Sequence, residues 1–549
     1  MKKRFIAFLL VFCLLSMSSC SYIESIRTMI NDIKELNNAK VYGYDENGEE
    51  DQEFDRSVID DIDARFEKLD RMLSENDASS AGAFVATFSL QMRDLHYLSD
   101  HSSLAFTRFC TDPSNKEYAE ADKELSELLN DRSARLYRMY EPIYNSNYSS
   151  LFFESWDEKE IDDAREMSRR YTEEFVGYSD KVDEFIQKYE QLDEDSRNYR
   201  SDSAELFGSI VSGNRKIAEA AGADSYADYA YDTVYGRDYT PEDVKKFQSY
   251  VRDYLIPLGN ELLSQIRKYR GISTVQTELA KLDGQNVSKN ALKNALAPYY
   301  EKLGSKNVDA FNSFLDHYTS ASASKARSIA FTYYLNYYEH PACYFGPENQ
   351  TMLTYVHEQG HYLSFFKSET GINSVDLCET QSQGNEWLYL SYIRSQYDDA
   401  TYRYLIKYKL LNEILTLVLA TCCDAFEQRI YADPAIPYTK YDEVFSAVIR
   451  DLGAEKFFSD MVSMDPTEYW HRAIVSNSFY YVSYAVSLVP VFEIYVIASE
   501  KGFDAAAEIY NKLTVCNYDA GFVETLGDSG LSSPFSEELY KKISDFFLE

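Results

Sequence analysis

The sequence predicts a mostly α-helical protein with one small β-sheet, and three observations carry that prediction. Apolar residues recur at helical spacing from Val58 onward: Ile59, Ile62, Phe66, Leu69 and Leu73 stand near i, i+3 and i+4, as do Leu125, Leu128 and Leu129. Long stretches rich in Glu, Asp, Lys and Arg continue past Leu192 with few helix breakers; 549 residues hold only 21 glycines and 12 prolines. Only the neighbourhood of Ala330 to Tyr344 reads as a sheet. Ser320 to Ser324 is a short loop, and the chain has no internal repeat and no proline-rich boundary. At 45% hydrophobic and 15% aromatic it can bury a large core and does not read as disordered.

Taken in order, residues 1–19 read as an export leader. Lys2, Lys3 and Arg4 precede an apolar run from Phe5 to Leu15, which is too short for a stable membrane span, and small residues follow. Met17-Ser18-Ser19-Cys20 resembles a bacterial lipobox, which implies lipidation at Cys20 and an extracytoplasmic protein anchored to the cell membrane. Residues 20–57 then form a tether with a solvated acidic stretch from Asp45 to Glu53. No later segment reads as a span: Leu410 to Phe426 contains Glu413 and Asp424, and Ala485 to Ala498 contains Pro490 and Glu493.

Charge narrows the partners. With 55 Lys and Arg against 90 Asp and Glu, the formal charge of −35 repels nucleic acid and anionic lipid, so neither is expected as a partner. Beyond the leader and Cys20 the cysteines are Cys110, Cys343, Cys378, Cys422, Cys423 and Cys516, scattered and without a C-x-x-C pair. Free buried thiols are expected, and a cysteine zinc cluster is not.

His357-Glu358-Gln359-Gly360-His361 carries the most chemistry. Histidines four apart on a helix lie one above the other and can share one zinc ion, while the intervening Glu358 stands where it can take a proton from a metal-bound water. A catalytic zinc needs a third protein ligand. Gly371 and Asn373 read as breaking this helix, and the run Asp376 to Trp387 reads as a second helix folding back on it. Glu379 and Glu386 are seven apart, two turns along one face, so either can bind the metal while the other orients a ligand histidine. Spacing alone leaves both assignments open.

These residues resemble the thimet oligopeptidase and oligoendopeptidase F family of metallopeptidases. The match is His-Glu-x-Gly-His, then 24 residues, then Glu386, within a run of the form Glu-x-x-Ser-Gln-x-x-Glu. The resemblance implies one zinc held by His357, His361 and Glu386, Glu358 as general base, and Glu379 behind the ligands. Upstream, His340 to Phe345 with Glu348 to Thr351 resembles the family segment leading into the metal helix. There an extended edge takes a peptide backbone like an added strand, which places Cys343, Tyr344 and Phe345 against substrate. Ala227 to Tyr239 followed by Thr240-Pro241-Glu242 is also family-like, with Thr240 as a helix cap and Pro241 in the first turn. The fold implied is two helical lobes around a deep channel with the zinc on its floor. The lobes are expected at residues 58–200 and 201–549, the second being the catalytic domain.

An aromatic stretch follows at Ser478 to Ala485. Tyr480 and Tyr484 are four apart and Tyr481 and Tyr484 three apart, so at least two hydroxyls share a helical face. Phenols can support the negative charge that builds on a carbonyl oxygen under attack. By resemblance that role falls to His471, Tyr481 and Tyr484, with Tyr480 at the substrate and the rival for the second position. The register departs from the family: His471 lies 13 residues before Tyr484, Ile474 and Ser476 stand where relatives carry the histidine, and Ala485-Val486-Ser487 lacks a family glycine.

The expected function is a monomeric zinc oligoendopeptidase acting on short peptides. Alternatives are a zinc carboxypeptidase or dipeptidase on the same scaffold, and a peptide-binding lipoprotein without catalysis.

Overall fold

The computed structural model describes residues 40–43, 53–284, 286–372, 374–517 and 520–548. The leader, Cys20, most of the tether and Asn373 lie outside the described residues. The rest is mostly helical, as the periodicity predicts, and divides into two compact units. One holds the chain up to Glu173 together with Leu335–Tyr338; the other holds Glu174–Tyr334 and Glu339–Glu549. The boundary thus falls earlier than the expected residue 200. The Tyr189 and Tyr199 hydroxyls both donate to the carbonyl of His471, at 2.7 and 3.2 Å, which fastens that stretch to the second unit.

In the first unit, helix α1 (Ser57–Glu75) turns Val58, Ile62, Phe66, Leu69 and Met72 inward and stops where Asn76 adopts φ 48°. The stripe is the predicted one, shifted at its ends from Ile59 and Leu73 to Val58 and Met72. Helices α2 (Ala81–Thr111) and α3 (Lys116–Tyr137) follow. Phe84 of α2 stacks on Tyr148 at 4.4 Å, and Phe88 meets Phe152 edge-on at 4.7 Å. Asp100, buried on α2, accepts from the backbone N–H groups of Asn336, Tyr337 and Tyr338 at 2.9, 2.8 and 3.3 Å. One carboxylate therefore holds a turn that comes from far along the chain.

In the second unit three strands, β1 (Tyr318–Ser320), β2 (Ala330–Leu335) and β3 (His340–Phe345), form a sheet in the order β1-β3-β2. β1 runs parallel to β3 with Tyr318 opposite Cys343 and Ser320 opposite Phe345. Two of its strands stand near Ala330 to Tyr344 as expected, the third, β1, lies just before and includes Ser320, the first residue of the expected loop, and the expected free edge is not there. His340 to Phe345 is the central strand, paired on both sides, and the edge strands are β1 and β2. Cys343, Tyr344 and Phe345 are buried, so their side chains face core and not an open surface.

Helix α4 (Tyr199–Ala220) comes earlier in this unit, and four helices packed on one another make its centre: α5 (Met352–Ser368), which lies against β3, α6 (Val375–Tyr392), α7 (Asp399–Ala432) and α8 (Val482–Lys501). Thr351 caps α5 and Ser374 caps α6, each hydroxyl accepting a backbone N–H three residues on. α5 ends at Ser368, because Glu369 adopts the left-handed conformation at φ 55°, two residues before Gly371. α8 is 20 residues long and apolar enough to cross a membrane, yet it is almost entirely buried in the protein as a core helix. Thr240 and Asp243 form a reciprocal capping box with Pro241 in the first turn, as the sequence indicates.

Replacing Asp100 by Ala removes a carboxylate that accepts from three backbone donors of the 336–338 turn. Expected is a loss of about 3 kcal/mol in the first unit, read as a lowered midpoint in chemical denaturation; an unchanged midpoint would show that the turn is held by other contacts.

Candidate metal centre

The centre is built where α6 folds back on α5. A Cβ added at Gly360 would lie 2.5 Å from Ser382 Cα and 2.6 Å from the Gln381 carbonyl oxygen, so only glycine permits this backbone approach. One turn away, Asn385 Nδ2 donates to the Val356 carbonyl at 2.7 Å, and Tyr299 donates to Asn385 Oδ1 at 2.8 Å. These contacts fix the height of α6 along α5, and with it the level at which each carboxylate stands.

His357 and His361 then lie one turn apart with ring centroids separated by 5.1 Å. Their ligand atoms and those of Glu379 all fall within 4.8 Å of one another. His357 Nδ1 is engaged by Glu386 Oε1 at 2.7 Å, while Nε2 faces Glu379 Oε2 at 3.7 Å. Glu386 is further held by Lys409 Nζ at 2.7 Å, and Lys409 also reaches Glu413 Oε1 at 2.9 Å. Trp387 Nε1 closes the chain on Glu413 Oε2 at 2.6 Å. The expected ligand assignment is therefore reversed. Glu379 stands with the two histidines, and Glu386, saturated by His357 and Lys409, is the residue behind them that orients His357. Two imidazoles and a carboxylate, with one ring turned by a carboxylate so that Nε2 points inward, is a donor set that fits zinc.

Electrostatics agree with that division. Burial opposes a charged His357, but the hydrogen bond to Glu386 and the surrounding carboxylates outweigh it and raise His357 to about 9. Burial lifts Glu379 to about 7. At Glu386 burial is outweighed by Lys409 and His357, which hold it at about 2. His361 is driven well below the ordinary range by burial and by the His357 charge. The neighbouring Glu358 is 5% exposed, and burial raises its carboxyl. Its Oε2 accepts from Thr332 Oγ1 of β2 at 2.7 Å.

Of the aromatic residues, Tyr480 and Tyr484 are the pair whose phenols feel the Glu379 carboxylate. Their hydroxyls are 3.3 Å apart, and after burial the Glu379 carboxylate is the next influence raising both phenols, Tyr480 to about 12. Tyr481 instead feels burial, then Cys423 and Tyr469, so of the two it is Tyr480 that shares the influence of Glu379 with Tyr484. His471 is not available as an oxyanion donor. It is 1% exposed, stacks on Trp470 at 3.6 Å, and both ring nitrogens are used: Nδ1 with Ser203 Oγ at 2.7 Å and Nε2 with Asp442 Oδ1 at 2.9 Å. His471 therefore has a packing role.

Sequence reasoning missed Thr332, which nothing in β2 distinguishes beforehand. It also missed Lys409, for which a signal existed: Lys409 and Glu413 stand four apart inside the apolar run Leu405 to Leu419, where an unpaired charge would be costly. The six cysteines are free, as expected.

Comparison with solved structures places this architecture. A structure of PZ peptidase A with an inhibitor matches at a TM-score of 0.71 and 16% identity, covering 90% of this chain and 98% of that one. An oligoendopeptidase-F from Enterococcus faecium matches at 0.56 and 15% identity, covering 89% and 97%. The chain therefore has the fold of these peptidases over nearly its whole length. No protein-family model matches the sequence, and no curated protein matches it.

Zinc affinity separates the two glutamates. Glu379→Gln is expected to weaken binding about 1,000-fold and Glu386→Gln about 10- to 100-fold, measured by chelator competition; the opposite order would restore Glu386 as the ligand. Because the metal requires neutral His357 and ionised Glu379, wild-type affinity should rise with pH between the values of about 7 and 9 at which those groups lose their protons.

Proposed function

We propose that this protein is a zinc-dependent oligopeptidase that hydrolyses short peptides outside the cytoplasmic membrane, tethered through a lipid on Cys20. The observation that carries the reading is the convergence of His357, His361 and Glu379 within 4.8 Å, with Glu358 beside them, on a fold shared with PZ peptidase A and oligoendopeptidase-F. His357 through Nε2, His361 and Glu379 would hold zinc, whose chemistry is to polarise a carbonyl and to bring the pKa of a water to about 7.

Glu358 is the base in this reading. Thr332 holds one carboxylate oxygen, and the other takes the proton from the attacking water and passes it to the departing amine. Burial keeps Tyr480 and Tyr484 protonated at any physiological pH, so both hydroxyls remain donors for the charge that develops on the carbonyl oxygen. The lipobox-like Met17-Ser18-Ser19-Cys20 supports the anchor, and incorporation of labelled fatty acid that persists in a Cys20→Ala variant would refute it.

One observation favours a second reading, a peptide-binding protein without turnover: His471 is committed to Ser203 and Asp442, which leaves two phenols without an imidazole. Glu358→Gln decides between the two. Zinc should stay bound at wild-type stoichiometry while cleavage of an internally quenched peptide of about ten residues falls by about 1,000-fold or more. Equal cleavage by wild type and variant would remove Glu358 from the reaction. Zinc binding with no cleavage by either, across a diverse peptide pool, would establish the binding protein.

A further inference from the structure

Tyr480 and Tyr484 hang from a turn that the backbone does not favour. Phe479, immediately before Tyr480, sits at φ 62°, a left-handed conformation that costs a bulky L-residue about 1–2 kcal/mol. Such a residue persists only where its surroundings over-determine it. Its ring is fully buried, 5.1 Å from Tyr431 and 5.8 Å from Tyr231, and its N–H donates to Glu427 Oε1 at 2.8 Å.

Arg237 supplies further support from the far side of the turn. Arg237 Nη2 donates to the Phe479 carbonyl at 2.8 Å and to Ser483 Oγ at 3.0 Å. Its guanidinium carries no solvent exposure, lies 4.4 and 4.5 Å from the ring centres of Tyr231 and Tyr235, and places Nε 3.4 Å from Asp376 Oδ2. Asp376 opens α6 three residues before Glu379, and Tyr239 fixes it with a 3.0 Å hydrogen bond. Tyr235 adds a 2.8 Å bond to the Ser478 carbonyl. A single rigid fork thus spans the start of the helix that carries Glu379 and the residues immediately before Tyr480 and Tyr484. A flexible ammonium cannot make those three contacts at once.

We propose that Arg237 is a positioning residue for the reaction: by joining Asp376 to Phe479 and Ser483, it sets the two tyrosine hydroxyls at their working distance from the metal centre. This inference rests on the peptidase reading above. It concerns a residue that touches neither metal ligand nor tyrosine hydroxyl and acts only through the turn it holds.

The test is a kinetic cycle on the zinc-loaded, full-length protein. Arg237→Lys is expected to lower kcat about 30- to 100-fold, the scale of a displaced donor, with KM changed less than about threefold and one zinc retained. In a Tyr480→Phe/Tyr484→Phe background the same change should cost no more than about threefold, because the groups it positions are gone. A purely structural Arg237 would lower thermal stability while leaving kcat per zinc-loaded molecule unchanged, and that result overturns the inference. Equal losses in both backgrounds overturn it as well. Should Arg237→Lys not fold, Ser483→Ala removes one of its contacts at small cost to packing and is expected to lower kcat about 3- to 10-fold in the wild-type background only; no change there refutes the inference. Inactive wild type on every peptide overturns the peptidase reading itself, whereas active wild type with an equally active variant overturns only the role of Arg237.

Discussion

The close approach of two helices at Gly360 is the constraint on which the centre depends. The absence of a side chain there lets α6 press its backbone at Gln381 and Ser382 against α5, and Asn385 locks the level by bonding Val356. Everything downstream follows from that level. Glu379 falls opposite the two histidines, and Glu386 falls beside the outer nitrogen of one of them. A wider separation would lengthen every ligand distance together, because both carboxylates ride on the same rigid rod.

Around this pair the protein buries an unusual amount of charge. Glu358, Glu379, Glu386 and Glu413 are all under a tenth exposed, with Lys409 bridging the last two. Isolated, each buried charge would cost several kcal/mol. The arrangement divides that cost unevenly: Glu386 is held ionised by two cationic partners, whereas Glu379 and Glu413 are each lifted to about 7. The consequence is directional. Glu386 permanently orients His357, and Glu379 is left with a carboxylate whose charge is poorly compensated by the protein, a state that a divalent cation relieves.

The aromatic segment shows the same logic applied to neutral donors. Burial keeps the phenols of Tyr480 and Tyr484 protonated, and a strained residue at Phe479 aims them. His471 sits nearby in sequence but is spent on cohesion, its two nitrogens tying α4 through Ser203 to the helix Tyr441–Asp451 through Asp442. A histidine with both nitrogens bonded in the core adds to the fold and offers nothing to a substrate.

Much of this was legible in the sequence. Helical periodicity located α1 and most of its buried stripe, and the pairing of His357 with His361 follows from their spacing alone, since i and i+4 share a helix face whatever surrounds them. Where the sequence fell short, two positions shared one face or one turn. Glu379 and Glu386 lie two turns apart on the same side of α6, and Tyr480 and Tyr481 are neighbours, so only the height of a partner helix and the strained turn at Phe479 could choose between them. The central place of β3 was likewise hidden, because its partner β1 is three residues long and carries no signature of its own. The sequence by itself determined the helices and the stacking of His357 over His361 with Glu358 between them, all consequences of local geometry. The tertiary structure decided that Glu379 joins the two histidines while Glu386 bonds His357 from behind, and that His471 is committed to Ser203 and Asp442, because those choices turn on distances between elements far apart in the chain.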